Sequence, residues 1–272
     1  MDGMNPAVQG EIDGLETFWH EQPSRTPAPV LYVHGVPTCA DDWLPFLERT
    51  GGVAPDLPGF GRSAKPPGFA YSIDGYRKFL RAFVEQRGLE RFSLLVHDWG
   101  AVGLALAQDM PERIERLVVM NAVPFLPAYR WHRIARVWRT PVAGELFMGA
   151  TLKAGFRLIS RESNATPGPM PKEFIDMVWR NWDQGTMRAI LKLYRSAPPD
   201  VLEAAGSRLG ELTCPALVLW GEQDPYIPSE FARRYAGALA GETTIEMLPD
   251  AGHWPWLDRP DAVGTVAAFL GR

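Results

Sequence analysis

The chain has 272 residues, 46% of them hydrophobic and 22% charged, with a formal net charge of −4. That balance supports a packed core in one large α/β domain, with or without an insert, and excludes a disordered chain and a general nucleic-acid binder. No apolar run reaches the roughly 18 to 20 residues of a membrane span, and residues 1–6 have neither the positive nor the apolar stretch of a signal peptide. Two cysteines, Cys39 and Cys214, are too few for a disulfide framework, so both are expected reduced and packed, as in a cytoplasmic protein.

In chain order, residues 12–20 read as two short strands around an Asp13-Gly14 turn, followed by a Pro-rich link over 23–29. Residues 30–33 form a β-branched and aromatic run, hence a central strand, ending at His34-Gly35-Val36-Pro37. Asp41 and Asp42 open a helix through Trp43, Phe46 and Leu47. A strand over 53–56 leads into Leu57-Pro58-Gly59-Phe60-Gly61-Arg62-Ser63, whose Pro and two Gly require a fixed, tight loop. Ser72 caps a helix over 73–87 that Gly88 ends. An apolar strand starts at Phe92, a small-residue helix follows over 101–107, and a further strand over 117–120 ends at Asn121. Strands alternating with helices predict a parallel sheet with right-handed crossovers.

That rhythm breaks between Pro124 and Asp200. The segment holds four of the ten tryptophans (Trp131, Trp138, Trp179 and Trp182) and reads as helical, with a Pro/Gly-rich interruption over 166–171. The α/β pattern resumes with a strand over 216–220, a helix opened by Pro228, a strand over 243–248 and a helix over 261–270. The expected architecture is a mostly parallel, eight-stranded, doubly wound sheet formed by 1–123 and 201–272, with a helical cap inserted at 124–200. An insert at the carboxyl edge of such a sheet covers the crevice in which ligands bind.

Three loops past strand ends carry chemistry. In Val96-His97-Asp98-Trp99-Gly100 a strand turns straight into a helix, which pushes Asp98 out at the top of the sheet. This is the geometry of a nucleophile elbow with Asp where Ser would stand. A carboxylate that attacks carbon forms an ester, and the ester must then be hydrolysed. Asp224 lies past one strand, in Trp220-Gly221-Glu222-Gln223-Asp224-Pro225, and His253 lies past the last, in Gly252-His253. Adjacent parallel strands bring these ends together, so Asp224 is expected to orient His253 and His253 to act as base. The backbone N–H groups of Trp99 and Val36 are the expected oxyanion donors. Singly, Asp98 fits a helix N-cap and Asp224 an Asp-Pro turn; only the joint set reads as chemistry. His34 and His97 read as loop-holding residues, and His20 and His132 carry no signal. The five histidines form no ligand cluster, so no metal or other cofactor is expected.

His34-Gly35-Val36-Pro37, the run from Asp56 to Ser63, His97-Asp98-Trp99-Gly100, the run from Trp220 to Asp224 and Gly252-His253, in that order, resemble the α/β-hydrolase superfamily in its epoxide hydrolase and haloalkane dehalogenase branch. The resemblance implies the α/β-hydrolase fold and the Asp98, Asp224, His253 triad. Val96 departs from it: the family usually has Gly two positions before the nucleophile, so crowding at the elbow is expected. In related chains with the acid after the later strand, the position of Asn121 need not be acidic, which favours Asp224.

The same resemblance leaves two leaving groups. For an epoxide, Leu193-Tyr194-Arg195 matches the family's ring-opening tyrosine segment, and Tyr129 is a poorer second candidate because it lies closer to the nucleophile than usual. For a halide, Trp99 is shared by both branches, Val36 stands where dehalogenases often carry Asn, and a cap tryptophan (Trp138, Trp179 or Trp182) has to substitute. On the donors present, the expectation is an epoxide hydrolase giving vicinal diols, with a haloalkane dehalogenase on the same triad as the alternative. A non-catalytic sensor of a small ligand is the alternative from another class. Tyr194, among Ile190, Leu191 and Leu193, fits cap packing equally well. The expected partner is a small apolar electrophile and the expected state a monomer or homodimer. Residues 130–139 are basic, with Trp131, Ile134, Ala135 and Trp138 at helical spacing, and read as a solvated cap helix rather than a surface for lipid or an acidic substrate.

Overall fold

The structure is a computed structural model that describes residues 5, 7–165, 168 and 170–272. The reading of residues 1–4 and 6, and that of Thr166, Pro167 and Pro169 in the predicted cap interruption, lie outside the described residues.

β1 (Val8–Ile12) and β2 (Leu15–Gln22) form a hairpin. Its two-residue turn holds Asp13 at φ 50° and Gly14 at φ 75°, the pair of left-handed residues that matches strand twist. The remaining strands are β3 (Val30–Val33), β4 (Gly52–Pro55), β5 (Phe92–Asp98), β6 (Ile114–Ala122), β7 (Ala216–Gly221) and β8 (Thr243–Leu248). They make one eight-stranded sheet in the order β1-β2-β4-β3-β5-β6-β7-β8, antiparallel at the β1–β2 and β2–β4 pairs and parallel elsewhere. The chain leaves β3 toward β4 and returns to β5 on its other side. The carboxyl ends of β3 and β5 therefore flank a switch point, where an open α/β sheet has its crevice.

The central strands are buried on both faces, and alternate residues serve opposite layers. Val30, Tyr32, Leu95, Val118 and Leu217 share one core with Trp43, Trp256 and Phe269. Leu31, Val33, Leu94, Val96, Val119 and Val218 share the other with Phe79, Phe83, Leu104 and Tyr235. Helices α1 (Leu44–Thr50), α2 (Ile73–Gln86) and α3 (Val102–Ala107) cover the first half of the sheet. The predicted cap of α2 forms, with Ser72 Oγ accepting from Gly75 N at 3.2 Å. The helix expected from Asp41 instead begins as a 3-10 turn, Ala40–Trp43, before α1. The small-residue helix likewise starts with a 3-10 turn, Trp99–Ala101, because the chain must leave the elbow tightly.

Between β6 and β7 lie α4 (Arg133–Arg139), α5 (Ala143–Ala150), α6 (Lys153–Ile159), α7 (Lys172–Arg180), α8 (Gln184–Ser196) and α9 (Pro199–Ala205). Thr140 precedes Pro141 and takes extended backbone (ψ 118°), which ends α4. Asp183 opens α8 by accepting from Thr186 N at 2.9 Å. α4, α5 and α8 pack on one another. The chain closes through α10 (Glu230–Ala238), α11 (Pro255–Asp258) and α12 (Ala262–Leu270). Pro228 precedes α10 by two residues, its carbonyl accepting from Phe231 N at 3.1 Å.

Candidate active site

Asp98 ends β5 at φ 50°, ψ −124°, a conformation an ordinary side chain adopts only where its surroundings impose it. Gly35 supplies one condition: a Cβ there would lie 2.4 Å from Asp98 Cβ. Gly100 supplies another, since a Cβ there would lie 2.0 Å from the Val33 carbonyl oxygen. Val96, the departure from the family pattern, is accommodated across the turn. Its Cγ1 occupies the space beside Gly103, where a Cβ would come within 3.0 Å. The elbow is thus intact, with the missing glycine moved from one side of the contact to the other.

The loop after β3 is fixed around this carboxylate. Val36 N donates to Asp98 Oδ1 at 2.7 Å. The Trp99 N–H, expected as the second donor, makes no hydrogen bond to the carboxylate. His34 and His97 hold loops, as read from the sequence. His34 Nε2 accepts from Leu57 N at 2.9 Å, and His97 Nε2 donates to the His253 carbonyl at 2.7 Å. Buried Asp56 orders the next loop by accepting from Ala40 N, Arg62 N and Arg62 Nε. Gly61 at φ 54° leaves the room for that carboxylate.

Asp224 and His253 arrive from the ends of β7 and β8. His253 Nδ1 donates to Asp224 Oδ2 at 2.7 Å, and its Nε2 faces Asp98 Oδ2 at 3.5 Å, longer than an ordinary hydrogen bond. Asp224 is itself held: Oδ1 accepts from Tyr226 N and Ile227 N, at 2.8 and 3.1 Å, and Oδ2 also accepts from Asn121 Nδ2 at 2.7 Å. Burial alone would lower the His253 pKa, but the two carboxylates outweigh it and raise it to about 10. Burial alone would raise that of Asp98, but His253 and the Val36 N–H outweigh it and lower it. The resting site is therefore an imidazolium between two carboxylates.

These groups open on a cavity of about 70 Å³ between sheet and cap. Its wall includes Asp98, Val36 and His253 from the core and His132, Trp138, Trp182 and Tyr194 from the cap. Trp138, Trp182 and Trp254 line this wall, and the indole N–H of each is buried without an acceptor among the described residues. Trp99 stacks on Trp131 (centroids 5.4 Å apart) and meets Tyr194 edge-on at 5.2 Å. Burial, reinforced by the Asp98 charge, holds the Tyr194 pKa well above its ordinary value; the neighbouring Trp99 N–H offsets this only in part. The Tyr194 hydroxyl is thus a proton-bearing donor. Tyr129 is placed otherwise: its hydroxyl reaches the Tyr226 carbonyl at 3.4 Å, and its ring packs on Trp131 and Phe231, off the cavity wall. Trp179 stacks on Trp182 and also lies off the wall.

A model of the alpha/beta hydrolase family matches residues 30–265. The chain belongs to that family. A haloalkane dehalogenase of Bradyrhizobium diazoefficiens is 29% identical, over 94% of this chain and 91% of its own. Among solved structures, DbjA superposes with a TM-score of 0.83 at 27% identity, covering 97% of this chain and 96% of its own. The epoxide hydrolase CorEH superposes with a TM-score of 0.82 at 21% identity, covering 97% and 98%.

Several residues of this hydrolase's site have no signature in the sequence. His132 lines the cavity although nothing around it marked it. Its Nδ1 accepts from Ala135 N at 3.4 Å as the cap of α4, which leaves the ring proton on Nε2. Burial keeps it neutral, with a pKa lowered to about 4. Ser163, in the cap, holds the His253 loop by accepting from His253 N at 2.8 Å, and its hydroxyl meets Tyr226 Oη at 3.0 Å. Asn121 was marked in the sequence only as the non-acidic residue that ends a strand. It sits at φ 37°, a backbone region Asn tolerates, and exchanges hydrogen bonds with Gly221 while supporting Asp224.

Proposed function

We propose that this hydrolase cleaves carbon–halogen bonds through a covalent alkyl-enzyme ester. Asp98 Oδ2 attacks the carbon that bears the halogen; a C–O bond forms, the C–X bond breaks, and the halide leaves with the electron pair. With the Asp98 charge gone, His253 loses its Nε2 proton to solvent, and Nε2 then takes a proton from water as that water adds to the ester carbonyl. The alcohol departs and Asp98 returns as carboxylate. Val36 N–H steadies the carbonyl oxygen throughout.

The observation that carries this choice is the set of tryptophans on the cavity wall whose buried indole N–H groups have no acceptor among the described residues. An isolated halide needs N–H donors in a dry site, and leaving such donors unpaired costs stability unless a ligand uses them. Trp138 and Trp182 supply the cap donors that Val36 cannot. The relative from Bradyrhizobium diazoefficiens, named a haloalkane dehalogenase, supports the same choice. The preference read from the sequence, epoxide before halide, is therefore reversed. A ring-opening pair built from Tyr194 and Tyr129 lacks its second member, because Tyr129 lies off the wall. A cavity of about 70 Å³ is small beside the roughly 150 Å³ that accommodates benzene, so short-chain substrates are favoured.

One observation supports epoxide opening as the second reading: the Tyr194 hydroxyl and the His132 Nε2–H are both donors on the cavity wall. The purified protein incubated with short bromoalkanes and short terminal epoxides separates the two. Bromide release, faster for short than for long chains, is expected. Diol formation without bromide overturns the halide assignment and makes Tyr194→Phe and His132→Ala the next variants.

A further inference from the structure

The outer side of the cap carries a pattern that the reaction does not use. α4, α5 and α6 each turn one face to the cavity, through Ile134 and Trp138, Phe147, and Phe156 and Ile159. Helical spacing puts their other side chains outward. There α4 exposes Arg133 and Arg136. Val142 and Leu146, one turn apart at the start of α5, are each 68% exposed, Leu158 on α6 is 69% exposed, and Leu152, the residue before α6, is 70% exposed. Of the seven exposed large hydrophobic side chains among the described residues, these four fall within the stretch from Val142 to Leu158. A cluster so concentrated marks a binding surface rather than scattered surface carbon.

Charge identifies the occupant. Residues 130–162 contain seven Arg or Lys against two Glu, in a chain whose net charge is −4. Glu145 and Glu162 are spent on Arg195 and Arg133. Arg130, Arg136, Arg157 and Arg161 are exposed and have no carboxylate partner among the described residues. We propose that this face of the cap docks on an anionic lipid bilayer, with the leucines and Val142 in the acyl boundary and the arginines on headgroup phosphates. A second copy of the chain would set the same arginines against themselves across a twofold axis. A nucleic acid would gain nothing from the leucines. The placement also serves an apolar substrate: the helices on the bilayer side are the ones that wall the cavity, so about one helix diameter of roughly 10 Å separates lipid from Asp98's chamber.

Sedimentation of the full chain with sucrose-loaded vesicles tests this without any turnover, so its outcome is independent of the halide assignment. The protein is expected to pellet with phosphatidylcholine vesicles that contain phosphatidylglycerol, to stay in solution with phosphatidylcholine alone, and to be released by salt. Leu146→Ser with Leu158→Ser, and separately Arg136→Glu with Arg157→Glu, each lower binding by about tenfold or more, with thermal melting and turnover unchanged. Protein that stays in solution with the anionic vesicles overturns the proposal, as do variants that bind as well as the parent. So does a dimer that the serine pair dissociates in the absence of vesicle binding, which makes a second copy the occupant.

Discussion

His253 stands between two carboxylates, and that arrangement sets the order of events. Both carboxylates stabilise its positive charge, Asp224 at Nδ1 and Asp98 facing Nε2. Esterification of Asp98 removes one of the two charges, so the imidazole gives up its proton and becomes a base only once there is an ester to cleave. Asp98→Asn reproduces that charge loss without alkylation. In this variant the His253 pKa, followed by the imidazole NMR signals, is expected to fall well below the wild-type value of about 10; an unchanged pKa refutes the coupling. Stability follows with a definite sign. The folded pKa lies above the ordinary 6.5, so the contribution is complete below about 6.5 and is lost as pH rises toward about 10. Over that window the melting temperature of the wild type is expected to fall more steeply than that of His253→Gln, and parallel curves would remove His253 as the cause.

The strands were legible because each central one is a short apolar run covered on both faces. β8 matches its predicted span at both ends, and β3 does too. The loops past them were legible through Gly and Pro that leave the chain little choice. Element starts were less so: the turns before α1 and α3 are 3-10, set by where the sheet delivers the chain rather than by local propensity. Val96 shows the same limit. Sequence alone announced crowding, but its relief by Gly103, seven residues later and across the β5–α3 contact, required the packing. Gly103→Ala is expected to cost about 1 to 3 kcal/mol by overpacking, and little in a Val96→Ala background. Urea melts of the single and double variants check this; equal losses in both backgrounds would mean that the two positions do not share the space.

Asp98, Asp224 and His253 were found together in the sequence because each follows a strand of one parallel sheet, and sheet topology does the rest. The cap side of the cavity has no such rule. His132, Ser163, Trp138 and Trp182 reach the site through packing of short helices, and their neighbours in sequence give no period or spacing that announces it. The leaving group was hard to read from the sequence for the same reason: counting tyrosines in the cap does not say which hydroxyl faces Asp98. Tyr129 and Tyr194 separate only once the cap is folded, Tyr194 to the wall and Tyr129 to the Tyr226 carbonyl. The outer face of the cap was equally ambiguous, since a basic helix reads as solvated until its apolar neighbours prove to be exposed as well.

Alkylation at Asp98 and hydrolysis through His253 are separate steps, and intact-mass measurement of His253→Gln after incubation with a short bromoalkane sees the first without the second. The expected result is one alkyl group per chain, mapped to the peptide carrying Asp98, with one equivalent of bromide released and no further turnover. A wild type that releases bromide catalytically, beside a His253→Gln variant that carries no adduct, would contradict the covalent route and remove Asp98 as the nucleophile.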